Sequence, residues 1–389
     1  MTGSSGDGER PLRLGILIPG FSASEDDWCL PYALDLVREL AAIDDVRVFA
    51  LRHPPRRKRY RVFGAEVVTF GDDDGTAWSR LRRWRRVLRT IREEHARRPF
   101  DVLHGIWAHE PGALAVRAGR TIGVPAVVSI FGGELVRLPS ISYGPRPLSA
   151  SRLLTRYALD RAARVTAVAR YALHGDRARV EPERLEVFPL GVDTRLFFPA
   201  PAGRLEGSPA LLNVASLVPV KGHLDLLEAL ARLRRTRPGA VLHLVGEGPL
   251  RPRLEERARA ADLAGSVRFH GDVRHDALPA VYRGADLFVL SSFSEGQCVV
   301  AVESIACGTP VAGTAVGILP EIVPPGHRAP AGDPAALARA VEAALDAPRE
   351  ECDALLRSGR GFTLPESIAR WREVLSRAAA HTRRTGRTP

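Results

Sequence analysis

Short apolar runs alternate with helix-length stretches along most of the chain. Residues 12–18 (LRLGILI) form an apolar run ending at Pro19-Gly20 and predict a buried strand. A helical stretch follows over 28–42, then strand-like 46–51; residues 101–106, 125–131 and 163–168 are further strand candidates separated by helix-length segments. The second half repeats the rhythm: 211–217 before a helix over 221–236, 241–246 before 250–263, 267–271 before 275–284, and 286–292 before 297–307. Strands alternating with helices of this length predict parallel sheets covered on both faces, an α/β fold with two Rossmann-like domains.

The boundary is expected in 187–210, where Pro, Gly and polar residues break the periodicity. The expected division is 1–195, 196–365, and a last helix with its tail over 366–389. Periodicity leaves open whether that helix stays on the second domain or crosses back to the first. The stretch through Arg10 and the last nine residues are expected to fray.

Composition changes the picture in one respect. The chain has 389 residues, is 45% hydrophobic and 26% charged, and carries a net charge of +11. Of its 56 basic residues only Lys58 and Lys221 are lysine; Asn213 is the one asparagine and Gln297 the one glutamine. Arginine has replaced lysine wherever a generic cation suffices, so bulk charge does not argue for nucleic acid. A lysine that persists is one whose compact charge an arginine fork cannot replace. Lys58 lies in RRKRY, a basic loop; Lys221 is the informative one. No run of about 18 uncharged apolar residues exists to span a bilayer. No basic flank and apolar run mark the N-terminus as a secretory signal. The four cysteines (29, 298, 307, 352) form no CxxC pair and no disulfide scaffold. A reduced, cytosolic compartment is expected, with no metal site and no cofactor.

The strongest chemical segment is 291–311, SSFSEGQCVVAVESIACGTPV. Glu295 and Glu303 lie eight positions apart; across a mostly helical stretch they would share a side and stand about 12 Å apart. That matches the reach from sugar to ribose in a nucleotide-sugar. Amides near Gly296 and Gln297 would sit at a helix N-terminus, where an anion is favoured. The helix is apolar nearly all round, so Glu303 needs a partner to be tolerated there. In the second segment, 214–233, a strand ends at Ser216, Lys221-Gly222 follow in a loop, and a helix begins. An ammonium on the first strand-to-helix turn of an open α/β sheet is a natural phosphate contact.

EGQCVVAVESIACGTPV resembles the E-x7-E segment of family 4 retaining glycosyltransferases, and VASLVPVKG resembles their phosphate-binding loop. LVGEGPLRPRLEERA, VRFHGDV and FPLGVDTRLFFP match the same family in order and spacing. The resemblance implies a GT-B fold, two Rossmann-like domains facing across a cleft, with the donor on the C-terminal one. It implies Lys221 at the diphosphate, Glu303 at the ribose, and Glu295 with the Gly296-Gln297 amides at the donor sugar. Gly271-Asp272-Val273 would lie near the base, and Ser216 and Cys298 complete the implied donor set. Lys221 and Glu295 would be the catalytic pair, with Lys221 stabilising the departing diphosphate without metal.

Three departures stand out. Ser216 occupies a position usually held by arginine, Phe131 one usually held by histidine, and the loop 19–28 lacks the usual glycine pair, retaining Gly20. The last two concern the acceptor half, where His109, Gly132 and Glu134 are further candidates; His109 is read either as a substitute for the missing histidine or as a helix-start polar contact. In 78–98, Trp78, Leu81, Trp84, Val87, Leu88 and Ile91 fall at helical spacing among arginines. That stretch either lies on anionic lipid or packs on the N-terminal sheet. Asp72-Asp73-Asp74 contains a DxD but reads as a polar turn, and Gly246-Glu247-Gly248 lacks the third glycine of a dinucleotide fingerprint.

The expected activity is transfer of a hexose from a UDP- or GDP-linked donor to a small-molecule or lipid-linked acceptor, with retention of configuration and no nucleic-acid partner. The alternatives are a nucleotide-sugar epimerase or hydrolase on the same fold, and a non-enzymatic basic membrane- or nucleic-acid-binding protein. Peripheral attachment to the inner face of the membrane through 78–98 remains open.

Overall fold

A computed structural model describes residues 10–25, 27, 29–71, 75–144, 149–174, 180–348 and 362–385, the last five as backbone. The DxD at 72–74 and Cys352 lie outside the described residues.

Among the described residues, fourteen strands build two sheets. The first contains β1 (Arg13–Gly20), β2 (Asp45–His53), β3 (Arg59–Val62), β4 (Ala65–Thr69), β5 (Val102–Ile106), β6 (Ala126–Ile130), β7 (Arg164–Ala167) and β8 (Leu185–Val187). Their order is β3-β4-β2-β1-β5-β6-β7-β8, parallel except for the β3-β4 hairpin at one edge. The second contains β9 (Ala210–Val214), β10 (Val241–Val245), β11 (Val267–Gly271), β12 (Leu287–Leu290), β13 (Val311–Thr314) and β14 (Arg328–Ala329), in the order β11-β10-β9-β12-β13-β14, all parallel. Central strands β5, β6, β9, β10 and β12 are buried at every position. That is why they read as unbroken apolar runs. The α/β expectation of two parallel sheets holds.

Each sheet is covered by apolar clusters on both faces. The last helix, Leu364–Thr385, crosses back: Ile368, Trp371, Val374, Leu375, Ala378 and Ala379 join the core of the first sheet with β1, β2 and the helix Pro31–Ala41. The chain passes twice between the domains, and the two crossings pair: Val192 N–H donates to Phe362 O and Leu364 N–H to Val192 O, both at 2.9 Å.

The arginine helix, Ala77–Arg97, does not offer an apolar stripe to a bilayer. Val87 and Ile91 are fully buried in the first domain's core, and Trp84 and Leu88 pack against it. Of the six apolar positions only Trp78 stands out, 72% exposed. The apolar periodicity belongs to the sheet contact, and no described helix is long and apolar enough to cross a membrane.

Candidate functional site

The loops after β9 and β12 meet at the carboxyl ends of the second sheet, where open α/β sheets bind ligands. After β9, a turn over Pro219–Lys221 leads to Gly222 at φ 67°. A Cβ on Gly222 would lie 2.0 Å from Ser291 O, so only glycine lets the two loops touch. Lys221 Nζ then reaches Glu295 Oε1 at 2.6 Å, an oxygen that also accepts from Ser292 Oγ at 2.6 Å. Ser291 Oγ donates to Lys221 O, and Phe293 N–H to Val220 O. Burial alone would lower the ammonium's pKa; the Glu295 carboxylate overrides that and holds it above the ordinary lysine value. Lys221 and Glu295, expected in one site, are therefore brought together.

Glu295 is not on the helix. That helix runs only from Val299 to Ala306, and Cys298 precedes it in left-handed backbone at φ 80°. The helical spacing from Glu295 to Glu303 is corrected accordingly: a loop occupies the first half of it. Cys298 is buried, and burial pushes its thiol well above the usual range. The backbone amide of Gln297 was the part expected at the donor; its side chain is held within the protein, Oε1 accepting from Leu190 N–H at 2.6 Å and Nε2 donating to Leu190 O at 2.8 Å. It fastens the loop after β12 to the chain leaving β8.

Glu303 is buried, as an apolar helix requires, and its partners are two residues the sequence did not single out. His275 Nε2 lies 3.0 Å from Oε1, and Tyr282 Oη donates to Oε2 at 2.8 Å. Desolvation would lower the His275 pKa, but the Glu303 carboxylate raises it overall. No periodicity links positions 21 and 28 residues apart; the need for partners was the only signal. Gly271 ends β11 at φ 69°, its carbonyl accepting from Gly246 N–H at 2.7 Å. Asp272 and Ser216 are exposed on the same rim, while Val273 packs on the second core.

Across the cleft, Gly132 (φ 114°) faces Gly296: a Cβ on Gly132 would lie 2.4 Å from Gly296 Cα. Phe131 sits against Tyr32, Trp107 and Trp371, with ring centroids 5.3, 5.5 and 6.2 Å away. His109 precedes the helix Glu110–Ile122, and its Nδ1 accepts from Glu110 N–H at 2.8 Å. This is the helix-start contact. Burial lowers its pKa to about 4, leaving a neutral ring. Glu134 binds the backbone of its own loop and of the loop after β5: Oε1 accepts from Phe131 and Ala108 N–H, and Oε2 from Gly132 N–H at 2.7 Å. Burial pushes its carboxyl up to about 7 against those bonds. Gly20 ends β1 beside His53, whose Cβ would stand 2.9 Å from one on Gly20. A pocket of about 240 Å³ is lined by Trp107, His109, Gly132, Glu134, Tyr143 and Ser151. Among the described residues no three His, Cys, Asp or Glu side chains are grouped to hold a metal.

Residues 196–361 match the family model described as glycosyl transferases group 1, and residues 31–196 the model of glycosyltransferase family 4. The 2-deoxystreptamine N-acetyl-D-glucosaminyltransferase of Streptomyces fradiae is 33% identical over 72% of this chain and 68% of its own. The D-inositol 3-phosphate glycosyltransferase of Acidothermus cellulolyticus is 33% identical over 66% of this chain and 62% of its own. Among solved structures, sucrose-phosphate synthase of Thermosynechococcus elongatus superposes with a TM-score of 0.73 at 20% identity, over 94% of this chain and 98% of that one. Anabaena HepE, solved with UDP and glucose, gives 0.71 at 18% identity over 94% and 99%. The two structures share the GT-B fold with this chain, and the sequence matches settle its membership: it belongs to the family 4, group 1, glycosyltransferases.

Proposed function

We propose that the protein transfers a hexose from a UDP- or GDP-linked donor, with retention of configuration and without metal, to an acceptor held by the first domain. The observation that carries this reading is the Lys221–Glu295 pair, 2.6 Å apart on the rim of the second sheet and facing the first domain. Lys221 is charged and tethered, so a diphosphate can take its ammonium from Glu295 and free that carboxylate for sugar hydroxyls. As the donor bond breaks, negative charge builds on the leaving diphosphate, and a fixed ammonium stabilises it more than the ground state. Glu303 would meet the ribose; each of its oxygens accepts one hydrogen bond within the protein and retains a second lone pair. The backbone at Gly271–Val273 would border the base.

The test is a panel of UDP, GDP, ADP and TDP with their glucose, mannose and N-acetylglucosamine forms, in EDTA, read first as thermal shift. A ligand bound only by the folded state raises its stability. One nucleotide should shift the melting temperature, and its sugar form should turn over when 2-deoxystreptamine or an inositol phosphate is offered as an acceptor probe. Turnover should survive EDTA. Lys221→Ala should lower kcat about 10²–10³-fold, the loss typical of one transition-state donor. Wild-type turnover in that variant would remove the assignment. Release of nucleotide at one rate with and without acceptor would favour a hydrolase.

A further inference from the structure

Of the acceptor-side candidates, one side chain is apolar and two are already tied to backbone N–H groups. Phe131 has no polar side-chain atom, His109 accepts Glu110 N–H at Nδ1 and keeps only Nε2 for a ligand, and both Glu134 oxygens accept backbone N–H groups. Tyr143 differs. The turn that presents it is closed by two backbone hydrogen bonds between Leu138 and Tyr143, at 2.9 and 3.0 Å. Its shape is fixed by positive φ at Ser142 and Gly144, where a Cβ on Gly144 would lie 1.9 Å from Val136 O. The phenol oxygen stands 2.6 Å from where a Cβ of Gly133 would be, and the preceding Gly132 touches Gly296. Two consecutive glycines thus let the hydroxyl and the donor loop converge. Lys221, Glu295 and Glu134 are the charges acting on that hydroxyl, whose pKa is raised chiefly by burial. It has no hydrogen-bond partner among the described residues, and it lines the pocket with Trp107 and His109.

We infer that Tyr143 Oη hydrogen-bonds a sugar hydroxyl at the reacting centre, opposite Lys221–Glu295, in the role that Phe131 leaves open. The inference rests on the transferase reading above. A neutral phenol both donates and accepts, as a sugar hydroxyl does. One or two placed polar groups in an aromatic-lined pocket are enough to orient a ligand.

Tyr143→Phe keeps the ring, so its melting temperature and the nucleotide-induced shift should match wild type. The ratio kcat/KM for transfer should fall about tenfold, the loss of one hydrogen bond. Slow hydrolysis of the sugar nucleotide without acceptor locates the contact. If hydrolysis falls with transfer, the phenol holds the transferred sugar; if hydrolysis is kept and the acceptor KM rises, it holds the acceptor. Wild-type transfer and hydrolysis in Tyr143→Phe would overturn the inference and leave the transferase reading standing. Failure of wild type to bind or turn over any donor of the panel would overturn both.

Discussion

Glu134 sets two influences against each other at one carboxyl. Three backbone N–H donors favour its charge, yet burial outweighs them and raises its pKa from 4.5 to about 7. Between those values the native state binds the proton that the unfolded chain has released, so this group's contribution to stability falls as pH rises through that window. His109 works in the opposite direction: its depressed pKa adds stability as pH rises from about 4 to 6.5. The Glu134 contribution is therefore isolated by difference. The melting temperature of wild type relative to Glu134→Gln should decline from pH 5 to pH 8; a difference independent of pH would show that Glu134 does not titrate there.

At the level of elements, β1, β2, β5–β7 and β9–β12 were legible as short, mostly apolar runs, whereas β8, β13 and β14 were not read as strands. Nor was the β3-β4 hairpin, because the edge strand RYRV carries exposed arginines at 59 and 61 that break the pattern. In the donor loop, residue types pointed to Lys221, Glu295 and Glu303, but not to how they are held. Apolar residues from Val299 onward continued a helical pattern backwards past Cys298, whose left-handed backbone ends it. Gln297 entered the expected donor set through its backbone amide; the partner of its side chain is backbone 107 residues away, which leaves no trace in side-chain pattern. Gln297→Met keeps the length and removes both bonds, leaving a buried N–H and C=O of Leu190 unpaired. Stability should drop by about 2–4 kcal/mol, seen as a lower urea midpoint. An unchanged midpoint would mean that the clamp contributes nothing.

For the whole molecule, the contact of Gly132 with Gly296 sets how closely the two domains approach. A methyl group on Gly296 would stand 1.7 Å from Phe131 O, so Gly296→Ala must push the domains apart. Each half keeps its own core, and nucleotide should still shift the melting temperature. Turnover should fall about 10²-fold or more, since a displacement near 1 Å between reacting groups costs that much. Full turnover in Gly296→Ala would show that catalysis does not use this approach.

The returning helix carries a consequence for the order of events during synthesis. Trp371, Leu375 and their neighbours complete the core of the domain whose strands emerge first. At roughly 5–20 residues per second, the ribosome finishes the whole second domain before the first receives its last layer. The half translated first is thus the half completed last, and its apolar face beside the helix Pro31–Ala41 stays uncovered until residues 364–385 have been made.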